Sequence, residues 1–211
     1  MVKPMAVVKP NRQEQRRETS TRALLDAAGE LVLEGGFRAM TFAAIGKRAG
    51  FSPAMVTARF GSRQGLIEEL LDRILEPWMD RNREAITSAG PGLAKLGALL
   101  DAVVDRIESD PTGSRILNAL RFEAIGGEPL LAEHVRAQHG ETVDAFRRAF
   151  EAGQADGSIT AEVDPEVEAQ ALMSQLRGIS YQWLLDGERF EPIAALGHLK
   201  LVLFERLDPE V

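Results

Sequence analysis

The side chains between residues 41 and 63 include hydroxyl and cationic groups whose chemistry suits the phosphate oxygens of a nucleic acid. A hydroxyl group donates one hydrogen bond to a phosphate, whereas an arginine guanidinium group can donate two parallel ones. Such contacts position a protein, while contacts to base edges specify the sequence. The polar candidates are Thr41, Lys47, Ser52, Thr57, Arg59 and Arg63. The candidates for meeting base edges are Pro53, Ala54 and Arg59.

Two short helices joined by a tight turn would position these groups. Thr41 is a predicted N-cap, whose side chain satisfies a backbone N–H at the start of a helix. Gly50 is the predicted end of that helix, because glycine reaches the left-handed conformation without strain. Ser52 can then cap a second helix that begins at Pro53, where the missing N–H costs nothing.

The second helix, residues 53–60, has the dimensions of a DNA-reading element. Val56 and Phe60 are four residues apart and share one face, so that face is predicted to pack inward. Met55, Thr57 and Arg59 fall on other faces and can point outward. Eight residues give a helix about 12 Å long, which is about the width of a B-DNA major groove.

Longer helices flank this pair. Residues 18–34 carry an apolar stripe at helical spacing, and a pair of glycines ends the stripe. A long helix begins after residue 62, and Pro77 should kink or end it near Glu76. Residues 1–15 are polar and contain two prolines, so we expect them to form a disordered basic arm.

Charge is distributed unevenly along the chain. Residues 1–63 carry 11 Lys and Arg against 5 Asp and Glu, a balance of +6. Residues 64–211 carry 14 against 27, a balance of −13, and the two sum to the net charge of −7. This asymmetry is the electrostatic footprint of a basic nucleic-acid reader attached to an acidic body.

Composition excludes several classes of protein. No stretch approaches the 18 consecutive apolar residues that indicate a membrane span. Residues 1–8 are too short and too broken by Lys3 and Pro4 for a secretory signal. Because the chain has no cysteine, disulfides and cysteine-based metal sites are excluded. We expect a cytoplasmic protein with no membrane association.

The body of the chain is predicted to be helical throughout. A weak alternation at residues 199–204 could indicate a strand, but with no strand partner in the sequence a helix is favoured. The predicted helices cover residues 91–109, 111–126, 129–155, 165–186 and 192–207. The last two are apolar around much of their circumference, which predicts burial on several sides. A homodimer interface explains that burial, and a buried monomer core is the alternative.

A ligand pocket is the second functional prediction. The body contains six large aromatic side chains that could line an apolar pocket between helices: Trp78, Phe122, Phe146, Phe150, Tyr181 and Trp183. Arg121 and Arg177 are polar residues on the same helices and join the list of candidate ligand contacts. Taken singly, most of these aromatic residues are explained by ordinary core packing, and only as a set do they suggest a pocket. A small, mostly apolar molecule would suit such a pocket.

Catalytic and metal sites are not indicated. His134 and His139 are five residues apart, whereas metal ligands on one helix face need a spacing of three or four. The segment Gly50-Phe51-Ser52-Pro53-Ala54 loosely matches a nucleophile elbow, but a helix rather than a strand precedes the serine. We therefore predict no enzyme activity, no metal and no cofactor.

From Arg16 to Leu70 the chain resembles the N-terminal domain of TetR-family transcriptional regulators. The match covers roughly a quarter of the chain. The motifs that carry it are Glu34-Gly35-Gly36-Phe37, Met40-Thr41, Ala49-Gly50, Phe51-Ser52-x-Ala54-x-Val56, Phe60, Ser62-Arg63 and Leu66.

The resemblance implies an all-α protein with a three-helix helix-turn-helix DNA-binding domain at residues 16–63. A larger helical ligand-binding and dimerisation domain would follow at residues 64–211. It also implies a homodimeric, ligand-responsive repressor that binds a palindromic operator and is released by a small effector. Such regulators dimerise by packing two helices from each subunit into a four-helix bundle, here those at 165–186 and 192–207.

The chain departs from the family pattern at three positions. The family usually has Tyr in place of Thr57, His or Tyr in place of Arg59, and Lys in place of Arg63. An aromatic phosphate contact is therefore missing at position 57, and Arg59 could add one of its own. The alternatives to a regulator are a helical enzyme with the aromatic pocket as its active site, and a helical adaptor without DNA affinity.

Overall fold

The computed structural model of the protein describes residues 12–90, 92–126 and 129–209. All the regular structure in these ranges is helical, which confirms the predicted all-α class. The helices are α1 (Arg12–Gly35), α2 (Phe42–Ala49), α3 (Pro53–Phe60), α4 (Arg63–Ser88), α5 (Leu93–Ser109), α6 (Pro111–Glu123), α7 (Pro129–Asp156), α8 (Pro165–Leu185) and α9 (Pro192–Leu207). Short 3-10 turns lie at Phe37–Ala39 and Ala124–Gly126. None of the described helices has the length and apolarity that a membrane span requires.

The chain folds as two compact units, divided between Leu70 and Leu71. The division falls within α4 and therefore later than the predicted boundary at residue 63. In the first unit, α1 packs on α2 and α2 packs on α3. The apolar stripe of α1 supplies much of the core, which consists of Leu24, Leu25, Ala27, Ala28, Leu31, Val32, Phe37, Met40, Ile45, Val56, Phe60, Leu66, Ile67 and Leu70.

The first helix begins earlier than predicted. Residues 12–15, which were assigned to a disordered arm, form the first turn of α1. These residues are Arg, Gln, Glu and Gln, all good helix formers, and Glu14 carries the negative charge that suits a helix N-terminus. The rest of the predicted arm, residues 1–11, lies outside the described residues.

Pro77 was predicted to kink or end α4 near Glu76, and the predicted end is wrong. α4 runs for 26 residues with Pro77 inside it. A proline removes one hydrogen bond and costs about 3 kcal/mol in a helix interior. The hydrogen bonds on either side remain, and the preceding turns are anchored by buried Leu66, Leu70 and Ile74.

The second unit is built around α7 and α8, which pack on each other. α5 contacts α7 and α9, and α8 contacts α6 and α9. Its core is a cluster of buried apolar side chains that includes Leu96, Leu100, Phe146, Phe150, Leu172, Leu176, Trp183, Leu203 and Leu207. The side-chain amide of Gln154 donates to the carbonyls of Thr160 and Val163, at 3.1 and 2.7 Å, and so holds the connection between α7 and α8.

Candidate DNA-binding surface and effector pocket

The turn between α2 and α3 is closed by the caps that the sequence predicts. The Thr41 hydroxyl accepts a hydrogen bond from the Ala44 N–H at 3.1 Å, and the Ser52 hydroxyl accepts one from the Met55 N–H at 3.2 Å. Gly50 has a φ of 78°, in the left-handed region that favours glycine. These local features fix the angle at which α3 leaves α2.

Gly46 is a second glycine on which this turn depends, and the sequence analysis did not single it out. The Phe51 N–H donates to the Gly46 carbonyl at 2.7 Å. A Cβ at position 46 would lie 2.7 Å from the Phe51 carbonyl oxygen, closer than side-chain carbons approach in folded proteins. The sequence signal for this close backbone contact is the position of Gly46, four residues before Gly50.

The α3 helix presents a mostly small, uncharged face to solvent. Val56 is fully buried and Phe60 is 6% exposed, as their shared face predicts. The exposed residues on α3 are Pro53, Ala54, Met55, Thr57 and Ala58. The Thr57 hydroxyl donates to the Pro53 carbonyl at 3.1 Å. A face of small, uncharged side chains can approach the base edges in a DNA groove closely. The Thr57 hydroxyl can rotate away from the Pro53 carbonyl and donate to a phosphate instead.

Arg59, a predicted phosphate contact, is held inside the unit. Its guanidinium group donates to both carboxylate oxygens of Glu69, at 2.8 and 2.6 Å, and its Nε donates to the Thr21 hydroxyl at 2.5 Å. The group therefore ties α3 to α1 and α4. This geometry argues against the predicted role, because a phosphate contact would require Arg59 to leave a paired carboxylate.

Arg63 is also positioned by the unit, but without a carboxylate. Its guanidinium carbon lies 4.1 Å from the centre of the Phe37 ring, and it donates to the Phe37 carbonyl at 2.9 Å. The residue as a whole remains exposed in the first turn of α4. Lys47 is likewise exposed, on α2. Among the predicted cationic contacts, Lys47 and Arg63 form no ion pair with a described carboxylate, whereas Arg59 pairs with Glu69.

The nearby Arg48 is neutralised like Arg59. It donates to Glu34 at 2.8 and 2.6 Å and to Glu30 at 3.1 Å. The hydrogen bond from Arg48 lowers the pKa of the Glu34 carboxyl below its usual value. This network locks the end of α2 onto α1.

The second unit contains an apolar pocket of about 250 Å³. Side chains from six helices, α4 to α9, line it. The apolar lining residues are Leu75, Met79, Leu99, Val103, Ile107, Ala145, Met173, Leu176, Ile179 and Leu196. An apolar cavity of about 150 Å³ already holds a benzene-sized molecule, so this pocket can enclose a small organic ligand.

Polar groups in the pocket include three arginines, which lie on α5, α6 and α8: Arg106, Arg121 and Arg177. Burial lowers the pKa of Arg106 to about 10, and the neighbouring charge of Arg177 adds to this effect. Burial, together with Arg177 and Arg106, lowers the pKa of Arg121 well below its usual value. Arg121 and Arg177 were predicted as ligand contacts, and both line the pocket. Arg106 was missed, although a charged residue between Val103 and Ile107 on an apolar stripe is an identifiable signal.

Most of the aromatic residues predicted to line the pocket lie elsewhere. Phe146 and Phe150 are at most 1% exposed and Trp183 is 7% exposed, and all three belong to the packed core. They do not line the pocket, because interhelical packing already surrounds them. Phe122 and Tyr181 pack edge to face with ring centres 5.8 Å apart, also outside the lining. The side chain of Trp78 lies outside the described residues.

Two regions of the chain, one toward each end, match known protein families. Residues 24–70 match the bacterial regulatory proteins of the TetR family, and residues 92–203 match the C-terminal domain of BetI-type transcriptional repressors. The second match alone covers more than half of the chain. The chain belongs to the TetR family of bacterial regulatory proteins. A TetR-family chain is a transcriptional regulator, as predicted, and not an enzyme.

Curated relatives extend over most of this TetR-family chain. It is 24% identical to the HTH-type transcriptional repressor KstR2 of Rhodococcus jostii, over 78% of the chain and 79% of that protein. It is 27% identical to the HTH-type transcriptional regulator BetI of Paraburkholderia phymatum, over 85% of the chain and 89% of that protein.

Solved structures show the same fold at low identity. FadR from Bacillus subtilis, crystallised with stearoyl-CoA, has a TM-score of 0.72 at 15% identity and covers 88% of this chain and 98% of its own. NalD from Pseudomonas aeruginosa, the secondary repressor of the MexAB-OprM efflux pump, has a TM-score of 0.71 at 23% identity, over 92% and 100% of the two chains.

Proposed function

We propose that this TetR-family protein is a cytoplasmic repressor that binds a palindromic operator as a homodimer and leaves it when a small effector enters its pocket. The observation that carries the proposal is the capped α2–α3 pair with its exposed α3 face. The relatives KstR2 and NalD, which are named as repressors, support the direction of control.

In this proposal, α3 enters the major groove with Pro53 and Ala54 against base edges. The hydroxyls of Thr41, Ser52 and Thr57, together with Lys47 and Arg63, hold phosphates. Arg59 acts through α3 instead, since its pairing with Glu69 fixes the orientation of the helix. Two such helices on a two-fold axis require half-sites one turn apart, roughly 34 Å.

The dimer would form through α8 and α9. These two helices pack on each other on their buried sides, yet both expose large apolar side chains on others. The exposed residues are Val167, Tyr181, Leu185, Ile193, Leu201 and Val202, with exposures from 38% to 67%. A second copy of the same pair would cover them in a four-helix bundle. Leu201→Glu should give a monomer by light scattering, whereas Leu33→Glu, at an exposed leucine of α1, should leave the dimer intact.

The effector pocket shares its walls with the proposed interface. Met173, Leu176 and Arg177 on α8 and Leu196 on α9 line the pocket, so an effector would contact the same helices that form the dimer. An effector that binds one arrangement of the dimer more tightly than another shifts the population toward the arrangement that it prefers. The size of this shift is limited by the difference between its two affinities. The effector is mostly apolar in this proposal, in line with the pocket walls and with the stearoyl-CoA in the related FadR structure.

The first experiment is selection of random duplex DNA by the purified full-length protein, followed by a salt titration on the enriched sequence. The proposal expects a palindrome whose affinity falls steeply with salt, because phosphate contacts release counterions. No enrichment and a flat salt response would overturn it.

A further inference from the structure

The pocket described above combines apolar walls with an unusual number of arginines. Arg106, Arg121 and Arg177 come from three different helices and line one cavity. Arg106 is only 7% exposed, and Arg121 and Arg177 are partly buried. Buried arginines are almost always paired in proteins. Arg106 donates to the Ser114 hydroxyl at 3.3 Å and is influenced by the charge of Asp110, so the question of a missing partner concerns Arg121 and Arg177.

The hydrogen-bond partners of Arg121 are neutral. Its Nε and Nη2 donate to the Gln138 Oε1, at 3.2 and 2.7 Å, and its Nη1 donates to the Asn118 Oδ1 at 3.2 Å. These bonds use three of the five N–H groups of a guanidinium. One N–H on each terminal nitrogen is left, and each can donate to an oxygen of an anion.

Within the described part of the chain, no carboxylate forms an ion pair with Arg121 or Arg177. Glu141 also lines the pocket, but it belongs to none of the ion pairs that the described residues form. Elsewhere in the same unit, arginines do take carboxylates: Arg147 pairs with Glu151 at 2.6 Å, and Arg206 pairs with Glu168. The pocket is therefore a local exception in a region whose overall charge is strongly negative.

This arrangement is costly in the absence of an anion. Burial lowers the pKa of Arg177, and burial followed by the charges of Arg177 and Arg121 lowers the pKa of the nearby His139. The direction of these shifts shows that additional positive charge is disfavoured here. A bound anion would offset the repulsion among these cations and the cost of burying them, so the charge contributes to ligand affinity rather than to stability.

We infer that the effector of the proposed pocket is an anionic amphiphile, with a carboxylate or phosphate group held by Arg121 and Arg177 and an apolar body lying along Leu99, Val103 and Met173. The inference rests on the proposed function in placing the effector in this pocket. Gln138 and Asn118 act as positioning residues, because they fix the plane of the Arg121 guanidinium before the ligand arrives.

Four probes with the same ten-carbon chain test the charge requirement: decanoate, decyl phosphate, decanol and decylammonium. Each is titrated calorimetrically into the full-length protein without DNA. The two anions are expected to bind at least tenfold more tightly than decanol, and decylammonium to bind more weakly still. The ratio of decanoate to decyl phosphate then distinguishes a carboxylate effector from a phosphate one. If decanol binds as well as the anions, or none of the four probes binds, the inference is wrong.

Variants test which groups carry the charge. Arg177→Met and Arg121→Gln should each weaken decanoate binding by about ten- to a hundredfold, while decanol affinity stays within twofold. Arg148→Gln, which changes an exposed arginine of α7 outside the pocket lining, is the control and should change neither. In the ligand-free protein, Arg177→Met should keep or raise the thermal midpoint. A lower midpoint with unchanged decanoate affinity would assign the arginine a structural role and overturn the inference.

The DNA measurement separates this inference from the function on which it rests. Decanoate binding to the pocket without any effect on operator affinity would leave the anion site standing and reject its role as an effector site. If the protein binds its operator but binds neither decanoate nor decyl phosphate, the anion site is rejected and the proposed DNA-binding function stands.

Discussion

In the N-terminal unit, Arg48 and Arg59 each form a two-pronged pair with a carboxylate, Glu34 and Glu69 respectively. In the second unit, the pocket residue Arg121 donates to amide oxygens, and the ion pairs among the described residues do not include Arg177. The basic region thus neutralises two of its arginines internally, whereas the acidic region leaves positive charge in its pocket.

The comparison shows that net charge and available charge are different quantities. The +6 balance of residues 1–63 indicates a nucleic-acid reader, but part of that charge holds α2 and α3 in place. The proposed DNA contacts then depend on hydroxyls, Lys47 and Arg63. Conversely, the −13 balance of residues 64–211 gives no hint of a cationic pocket.

The largest expected effect comes from giving the pocket a carboxylate of its own. Gln138→Glu places a charge where the Gln138 Oε1 already accepts from Arg121 at 2.7 Å. The substitution turns a hydrogen bond between a cation and a neutral acceptor into an ion pair, so the ligand-free protein should become more stable by about 1 kcal/mol. Decanoate affinity should fall at least tenfold, because the internal carboxylate competes.

Calorimetry and thermal unfolding measure the two effects of Gln138→Glu in parallel. Gln138→Met is the matched control, since it removes the acceptor without adding charge and should lower stability. If the glutamate variant is less stable than wild type and binds decanoate normally, the positive charge of Arg121 is already satisfied and the contrast between the two units disappears.

The corresponding test in the N-terminal unit removes a carboxylate from an arginine instead of adding one. Glu69→Gln removes the counter-charge of Arg59, whose side chain is 21% exposed, and should lower the free energy of unfolding by about 1–2 kcal/mol. It should also free Arg59 for phosphate and steepen the salt dependence of DNA binding by about one unit of slope. Urea unfolding and a salt titration check the two parts, and an unchanged slope would show that Arg59 cannot reach the DNA.

How much of this the sequence predicts depends on the range of the interactions. The helix starts at Pro53, Pro111, Pro165 and Pro192 were predicted correctly, because capping and the missing N–H of proline act within one turn. Pro77 was instead predicted to kink or end its helix, yet α4 continues past it, because a helix of 26 residues keeps its other hydrogen bonds when proline removes one.

Side-chain partners were harder to predict, since they depend on residues far apart in the chain. Arg59 was assigned to DNA, yet Glu69 and Thr21 approach it from other helices. Phe146 and Phe150 were assigned to the pocket by residue type, although type alone does not distinguish a core aromatic from a pocket one. Arg121 and Arg177 were placed on the correct helices, but that no described carboxylate pairs with them is a property of the fold.

A smaller effect separates the two cations at the α3–α4 junction. Arg63→Ala removes an exposed cation and should reduce the salt slope of DNA binding by about one, weakening all sequences alike. Arg59→Ala should leave the slope unchanged while lowering stability, because its charge is already paired. Filter binding across a salt series measures both, and equal slopes for the two variants would contradict the distinction. Arg63→Lys keeps the charge and is the control for lost stacking on Phe37.

The smallest effect is a pH dependence from Glu34. Because Arg48 lowers the pKa of Glu34 in the folded protein, the pairing stabilises the fold above the unfolded-state pKa of about 4.3 and is lost as the pH falls through the folded value. Glu34→Gln should therefore reduce stability slightly at pH 7 and make no difference once the carboxyl is protonated. Urea midpoints at neutral and acidic pH measure this, with Glu188→Gln, at an exposed position of the other unit, as the control. A Glu34→Gln deficit of the same size at low pH would show that the charge of Glu34 does not account for the stabilisation.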